Sequence, residues 1–218
     1  MQHIKAVLFD MDGLMLDTET ISMQSMKKAT QRLGLNVEDQ WLFDIIGMNR
    51  KGAEAYMSQK LGHPLPDGLD DAFIEIYANH LFTHGIDLKP GLTELLDYLV
   101  DNNIRRAVAT STRTEMALKK LKSSGIFDYF EHIIGGDQVN NGKPAPDIYL
   151  KAANYVGIDP EFCLALEDSD NGAKAAYAAN ISVIVVPDLK QPKDETRQMA
   201  TKVVTSLHDV RNLFEDAR

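Results

Sequence analysis

The stretch AVLFDMDGLMLDTE, residues 6–19, decides the fold. Its apolar run over residues 6–9 is short and ends at an acid, which predicts a buried strand of a parallel sheet. Side chains two positions apart in an extended segment point to the same side, so Asp10 and Asp12 can present both carboxylates to one crevice. Open α/β sheets bind their ligands at this carboxyl end of the strands. Gly13 allows the chain to turn sharply after the two acids.

Further apolar runs of this kind alternate with segments of helical periodicity. The runs cover residues 107–109, 132–134, 163–166 and 183–186. The helical segments cover residues 93–102, 112–124, 147–156 and 172–179. Thr112 and Glu115 also have the spacing of a capping box. The alternation predicts an α/β fold with a doubly wound parallel sheet.

The alternation is interrupted after the first strand. Residues 17–86 show helix after helix, with breaks near Gly34, Gly47, residues 62–68 and Gly85. We predict an inserted helical lobe over residues 17–86 and a catalytic core of residues 1–16 and 87–218. The apolar positions that suit a small bundle in the lobe are Met23, Met26, Leu33, Trp41, Phe43, Ile45, Phe73, Ile76 and Tyr77.

Three more groups of polar residues follow predicted strands or precede predicted helices. Thr110 and Ser111, with the neighbouring backbone N–H groups, suit phosphate oxygens. Lys143 could neutralise developing negative charge, and Glu167 with Asp168 offers oxygen ligands to a hard cation such as Mg²⁺. Each group also fits an ordinary role as a cap, a turn or a solvated charge. Together with Asp10 and Asp12, these groups all lie at the carboxyl ends of predicted strands. Their combination therefore indicates a functional site more strongly than any one group does.

Composition limits the classes of partner. The chain has 23 Lys and Arg against 32 Asp and Glu, for a net charge of -9. This balance argues against nucleic acid, whose affinity comes chiefly from basic residues, whereas a small charged metabolite can still bind locally. No apolar run has the length of a signal peptide or a membrane helix, so we expect a cytoplasmic protein without membrane contact. Cys163 is the only cysteine, which excludes an intrachain disulfide. A monomer is the default expectation.

Four segments carry a family resemblance. FDMDGLMLDTE, ATSTR, GKPAPDIY and LEDSDNG resemble the four motifs of the haloacid-dehalogenase-like superfamily, and the match covers nearly the whole chain. The insertion after the first motif resembles the cap of the branch that contains β-phosphoglucomutase, sugar phosphatases and pseudouridine-5'-phosphatase-like proteins. Members that dehalogenate generally lack the second aspartate, which this chain has at Asp12. The resemblance therefore implies phosphoryl transfer.

The resemblance also implies roles for individual residues. Asp10 attacks phosphorus and becomes an aspartyl-phosphate, while Asp12 protonates the leaving oxygen and later accepts a proton from water or a hydroxyl. Lys143 and the Thr110 hydroxyl reduce the repulsion between the attacking carboxylate and the phosphate. The expected cofactor is Mg²⁺. Glu167 is expected either to bind it directly or to lie next to the residues that do. The implied metal site consists of Asp10, the Asp12 backbone carbonyl, Glu167 and Asp168.

The acceptor of the phosphoryl group, water or a sugar hydroxyl, depends on the lobe. Residues 47–50 resemble the cap segment in which an arginine binds the second phosphate in β-phosphoglucomutase, which makes Asn49 and Arg50 candidate substrate-binding residues. The mutase pattern has a lysine where this chain has Ile46 and a histidine where it has Ser22. These departures favour a phosphatase acting on a small sugar or nucleoside phosphate, with a mutase of the β-phosphoglucomutase type as the alternative.

A phosphorylated receiver module is a third possibility of another class, since receivers also combine an aspartate, a hydroxyl and a lysine on such a sheet. Receivers resemble a compact domain with the acceptor aspartate on a middle strand. Asp10 follows the first strand, and a large lobe interrupts the chain. The arrangement therefore favours an enzyme.

Overall fold

A computed structural model describes residues 1–48 and 50–217. These residues form two compact units, one of residues 1–17 with 87–217 and one of residues 18–48 with 50–86. Among the described helices none is both long and apolar enough to cross a membrane.

The first unit is built on a parallel sheet. Its described strands are β1 (Ala6–Phe9), β2 (Arg105–Ala109), β3 (His132–Ile134), β4 (Cys163–Glu167), β5 (Ser182–Val185) and β6 (Lys202–Val203). Their order is β3-β2-β1-β4-β5-β6, and every neighbouring pair is parallel. The strand order reverses between β1 and β4, so this point is the topological switch point of a doubly wound sheet. The predicted fold class is confirmed.

The second unit is helical. Its described helices are α1 (Glu19–Arg32), α2 (Asp39–Asp44), α3 (Arg50–Leu61) and α4 (Leu69–His84). Helices α1 and α4 pack together around Ala29, Leu69 and Ala72, with Met26 and Phe73 partly buried against them. Small buried residues let the two helices approach closely. Of the apolar positions predicted for the lobe, Met26, Phe73 and Ile76 pack against this cluster, which also contains two alanines.

Leu33 departs most from the predicted core of this unit. It lies just after the end of α1 and is 37% exposed, because the chain turns there through Gly34 with φ +72°. Helical periodicity cannot be extended past the residue at which the helix ends. The prediction that Leu33 is buried was wrong.

Helices cover the sheet of the first unit. They are α5 (Leu92–Asp101), α6 (Thr114–Ser123), α7 (Asp147–Val156), α8 (Asp170–Ala178), α9 (Asp194–Met199) and α10 (Leu207–Glu215), with short 3-10 turns at Phe127–Tyr129, Gly136–Gln138 and Pro160–Phe162. All four residues of β1 are fully buried, as expected for a central strand covered on both faces. Helix α7 buries Ile148, Tyr149, Ala152, Ala153 and Val156, at the three- and four-residue spacing of one helix face.

Strand β6 was not predicted. It is two residues long and includes the exposed Lys202, so it offers no apolar run for a sequence pattern to detect. It owes its extended conformation to pairing with β5, where Lys202 lies opposite Ile184 and Val203 opposite Val185. Edge strands of this kind are specified by their neighbour more than by their own residues.

The predicted capping box at residues 112–115 was wrong. Helix α6 begins at Thr114, and its N-terminal flanking residue, Arg113, makes no side-chain cap. Asp137, from the 3-10 turn after β3, instead accepts hydrogen bonds from the Thr114 backbone N–H and hydroxyl, both at 2.7 Å. The Thr112 hydroxyl is used elsewhere, since it donates to Asp12. The helix is thus capped from a distant part of the chain.

Candidate active site

Two neighbouring strands place acidic residues at the switch point. Phe9 at the end of β1 lies opposite Leu166 of β4, so the following residues, Asp10 and Glu167, are also neighbours. The Asp10 backbone N–H donates to the Leu166 carbonyl at 3.0 Å, which extends the ladder to Asp10 itself. The Asp10 and Glu167 side chains therefore start at the edge of the sheet where α/β proteins bind ligands.

Lys143 bridges these two acids. Its Nζ lies 2.5 Å from Asp10 Oδ1 and 2.5 Å from Glu167 Oε1, and all three residues are buried. Burial raises the pKa of Asp10 to about 7, with Lys143 opposing the rise and Glu167 adding to it. Burial alone would lower the pKa of Lys143, but the two carboxylates outweigh it and raise that pKa. The lysine is therefore held as a cation against the acids.

The Glu167 carboxyl group is fixed on both oxygens. The Tyr149 hydroxyl of α7 donates to Oε1 at 2.6 Å and the Ser169 hydroxyl donates to Oε2 at 3.2 Å. Burial and the nearby carboxylates raise the pKa of Tyr149 well above its usual range, so it acts as a donor. A Cβ atom at Gly172, in the first turn of α8, would overlap the Glu167 carboxyl group. A glycine is needed there for the helix to approach this closely.

Asp10, Glu167 and Asp168 form an acidic cluster. Among the described residues each offers one carboxylate oxygen, and these oxygens lie within 4.8 Å of one another. Hard cations such as Mg²⁺ take oxygen ligands of this type. Lys143 pairs with two of these acids, Asp10 and Glu167, so the ionised forms of all three acids leave an excess of negative charge for a divalent cation to neutralise. The donor set fits Mg²⁺.

Asp12 is held by a different pair of residues. Its Oδ1 lies 2.6 Å from Lys120 Nζ and its Oδ2 accepts a hydrogen bond from the Thr112 hydroxyl at 2.7 Å. The backbone turns immediately afterwards, where the Gly13 N–H donates to the Leu16 carbonyl at 2.9 Å. The Asp12 side chain is 20% exposed, whereas Lys120 is 2% exposed. Asp12 is thus an accessible carboxylate with a buried cation behind it.

Lys120 was not predicted as a site residue, although its position in the sequence gives a signal. Lys120 follows Ala117 by three residues and precedes Leu121, so it lies on the buried face of α6. Lysine on such a face is almost always paired. A lysine in the apolar stripe of a helix therefore indicates an acidic partner elsewhere in the chain, but it does not tell which acid.

Thr110 and Ser111 follow β2, the other neighbour of β1. Thr110 is 1% exposed, its N–H donates to the Ile134 carbonyl at 3.0 Å, and its hydroxyl accepts from the Thr112 N–H at 3.1 Å. Ser111 is exposed. Both residues precede α6, which begins at Thr114, so the phosphate-binding prediction depends on the loop after β2 and not on the helix itself.

The predicted substrate-binding residues of the helical unit lie at the start of α3. Arg50 begins this helix, and its guanidinium group, 77% exposed, pairs with Asp70 near the start of α4. Asn49 lies outside the described residues. The role of both residues in binding substrate stays a prediction.

Comparison with known proteins agrees with this geometry. The family described as haloacid dehalogenase-like hydrolase matches residues 7–186. A probable pseudouridine-5'-phosphatase of Drosophila melanogaster is 32% identical over 216 residues, covering 96% of this chain and 92% of that protein. A phosphorylated carbohydrates phosphatase of Thermotoga maritima is 30% identical over 183 residues, covering 83% and 84%.

A solved structure shows the same fold at nearly full length. The crystal structure of a CbbY variant from Rhodobacter sphaeroides, in complex with xylulose-(1,5)-bisphosphate, superposes with a TM-score of 0.77. It is 26% identical and covers 94% of this chain and 96% of that one. The resemblance that the four segments suggested is confirmed.

Proposed function

Because this chain belongs to the haloacid dehalogenase-like hydrolase family and is a phosphoric monoester hydrolase, we propose that it hydrolyses small sugar or nucleoside phosphates through an aspartyl-phosphate on Asp10. The observation that carries the proposal is the contact of Lys143 with Asp10 and Glu167 at the switch point, beside Asp168. It combines a nucleophile, a fixed cation and oxygen donors for a metal ion in one site. Phosphoryl transfer requires positioning and charge neutralisation of this kind.

In the first half of the proposed reaction, an Asp10 carboxylate oxygen forms a bond to phosphorus as the bond from phosphorus to the ester oxygen breaks. Asp12, in its protonated form, gives its proton to that oxygen, and an alcohol leaves. In the second half, a water molecule loses a proton to Asp12 while its oxygen bonds to phosphorus. The bond to Asp10 then breaks, and inorganic phosphate is released.

The carboxylates of Asp10, Glu167 and Asp168, with the Asp12 backbone carbonyl, would hold Mg²⁺ in this proposal. When bound, the cation supplies positive charge that reduces the repulsion between an anionic nucleophile and an anionic phosphate. Lys143 contributes to the same effect from its fixed position against Asp10. Thr110 and Ser111 would donate hydrogen bonds to the phosphate oxygens that do not react.

The substrate class follows from the relatives. They include a probable pseudouridine-5'-phosphatase, a phosphatase of phosphorylated carbohydrates and a protein crystallised with a sugar bisphosphate. We therefore assign a small phosphorylated sugar or nucleoside as the substrate of this chain. Arg50 and Asn49 would bind the part of it that does not react.

The direct test measures inorganic phosphate release from a panel of sugar and nucleoside monophosphates, with MgCl₂ or with EDTA. We expect release only with the metal and no turnover by Asp10→Asn, with the native circular dichroism spectrum retained. Asp128→Asn is the matched control, because Asp128 is an exposed acid on the 3-10 turn Phe127–Tyr129 and should keep full activity. Full activity of Asp10→Asn at saturating Mg²⁺ would rule the mechanism out.

A second test traps the intermediate. Rapid denaturation during turnover of a ³²P-labelled ester should leave label on the wild-type protein and none on Asp10→Asn, and hydroxylamine should remove it because it cleaves acyl phosphates. A phosphoprotein that lasts for hours would instead support the receiver-like signalling function. Absence of label despite rapid phosphate release would point to direct attack by water.

A mutase of the β-phosphoglucomutase type is the second candidate. It is favoured by Arg50, which begins α3 and presents a mostly exposed guanidinium group of the kind that binds a second phosphate. The two functions are separated by comparing phosphate release from glucose 1-phosphate with its conversion to glucose 6-phosphate. We expect release to dominate. Isomerisation that greatly outpaces release would establish the mutase.

A further inference from the structure

Asp188 is a buried acid that the proposed reaction does not use. It lies three residues after the end of β5, and its side chain is only 7% exposed. Lys89 Nζ donates to its Oδ1 at 2.6 Å. Its Oδ2 is buried and has no hydrogen-bond partner among residues 1–48 and 50–217. A buried carboxylate oxygen without a partner is costly, so this oxygen is expected to have a partner in the working enzyme.

The unpartnered oxygen lies on the same side of Gly13 as the Asp168 carboxyl group. Gly13 has φ +83°, and a Cβ atom built on it would collide with Asp168 Oδ2 and would lie 3.3 Å from Asp188 Oδ2. The carboxyl groups of Asp168 and Asp188 therefore both lie close to the backbone at residue 13, and Asp168 can approach it this closely only because residue 13 is a glycine. Asp168 in turn belongs to the cluster with Asp10 and Glu167.

We propose that Asp188 is an outer acceptor of the metal site. In this role its Oδ2 accepts a hydrogen bond from a water molecule that hydrates the divalent cation held by Asp10, Glu167 and Asp168. Mg²⁺ gives up water reluctantly and usually keeps several water molecules, so acceptors just outside the direct ligands help to hold it. Lys89 holds Asp188 by its other oxygen, Oδ1, and so fixes the orientation of the carboxyl group. This inference rests on the proposed function, since it needs the same cation.

The competing explanation is that Asp188 only forms an ion pair with Lys89. In that case the ion pair would orient Oδ1, and Oδ2 would need no hydrogen-bond partner. It predicts that removing the Asp188 charge changes the stability of the fold and leaves metal affinity unchanged. A direct measurement of metal binding therefore separates the two explanations without any assay of turnover.

The experiment is isothermal titration of the purified full chain with MgCl₂. We expect Asp188→Asn to bind Mg²⁺ about 10–100-fold more weakly than wild type, which is the range for outer partners of metal sites. Asp17→Asn is the matched control, since Asp17 also lies near Lys89, at 3.9 Å, but its side chain is 47% exposed. It should bind Mg²⁺ as wild type does. Melting curves without metal show whether each variant folds, and Asp188→Ser replaces Asp188→Asn if the latter does not.

The outcomes are distinct. Equal Mg²⁺ affinity of wild type and a folded Asp188 variant would overturn this inference and leave the proposed function intact. Failure of the wild type itself to bind Mg²⁺ would overturn the proposed metal site and this inference with it. Weaker binding by Asp188→Asn, with Asp17→Asn unchanged, would establish Asp188 as part of the metal site.

Discussion

Lys120 Nζ lies 2.6 Å from Asp12 Oδ1, and the lysine that makes this contact is 2% exposed. The two residues are 108 positions apart in the sequence, and the ammonium group reaches Asp12 from α6. Together with the Thr112 hydroxyl on Oδ2, this contact fixes the orientation of the Asp12 carboxyl group. In the proposed reaction, that group accepts a proton from water in the second half. Lys120 is thus a positioning residue for the proposed base.

Replacing Lys120 by Met should therefore slow the second half-reaction more than the first. With p-nitrophenyl phosphate, whose leaving group needs little help from an acid, we expect a burst of about one nitrophenolate per enzyme. The steady rate that follows should be roughly tenfold to a hundredfold below wild type. This is a part of the 10²–10⁴-fold that a positioned general base contributes, because Asp12 itself is retained. Stopped-flow absorbance measures both phases.

The control for Lys120 is its neighbour. Lys119 is exposed and pairs with Glu115 on the surface of α6, so Lys119→Met should keep the wild-type time course. Lys120→Arg retains the charge and should recover part of the steady rate. Loss of the burst together with the steady rate in Lys120→Met would mean that the residue only supports the fold.

Replacing Lys143 by Met should destabilise the protein. The variant leaves the buried Asp10 and Glu167 carboxyl groups side by side without a cation, and breaking a buried ion pair in this way costs about 3–5 kcal/mol. Urea unfolding at neutral pH measures the loss. Added Mg²⁺ should restore part of it, because a ligand that binds only the folded state stabilises that state.

Lys151→Met provides the comparison for Lys143. Lys151 lies on α7 and donates to the neutral backbone carbonyl of Gln138 at 2.7 Å. Its removal therefore leaves no buried charge without a partner. A much smaller loss of stability is expected. If the two variants were equally stable, the cation between the acids would have no role in holding them.

Replacing Gly172 by Ala distinguishes helix propensity from close packing. In an ordinary helix interior this change stabilises by roughly 0.5–1 kcal/mol. Here the new methyl group would overlap the Glu167 carboxyl group, and overpacking typically costs about 1–3 kcal/mol. We expect the cost of overpacking to exceed the gain in helix propensity, so that the variant has a lower melting temperature and binds Mg²⁺ more weakly.

Gly142→Ala is the matched change for Gly172. A Cβ atom at Gly142 would meet nothing within 4 Å, so the substitution should leave the melting temperature nearly unchanged. A Gly172→Ala variant more stable than wild type would show that α8 can shift away from Glu167 without cost.

Replacing Asp137 by Asn should weaken the start of α6 in a pH-dependent way. Hydrogen bonds from Thr114 lower the pKa of Asp137 below 3.8 in the folded state. Because the pKa of Asp137 is lower in the folded state, the ionised carboxylate stabilises the folded protein above pH 3.8. This stabilisation is lost as the pH falls through the pKa of the folded state. The difference in melting temperature between wild type and Asp137→Asn should therefore be largest near neutral pH and shrink toward pH 3. Asp128→Asn, an exposed acid on a neighbouring turn, should show no such trend.

Much of the fold could be predicted from local patterns. Strands β1 and β3 and helix α7 begin and end where the residue pattern placed them, because buried parallel strands and amphipathic helices each leave a periodic signature. Elements without that signature were missed or misjudged. Strand β6 is held by its neighbour, and α6 is capped by Asp137 from another part of the chain.

The sequence by itself determined which acids meet at one edge of the sheet. Asp10 and Asp168 follow buried strands and Glu167 ends one, and parallel strands all end at the same edge, so topology alone brings these side chains together. Only the tertiary structure decided what surrounds them. Lys120, Tyr149 and Asp188 lie on elements whose mutual approach depends on side-chain packing, and no local pattern encodes which buried polar groups will become partners.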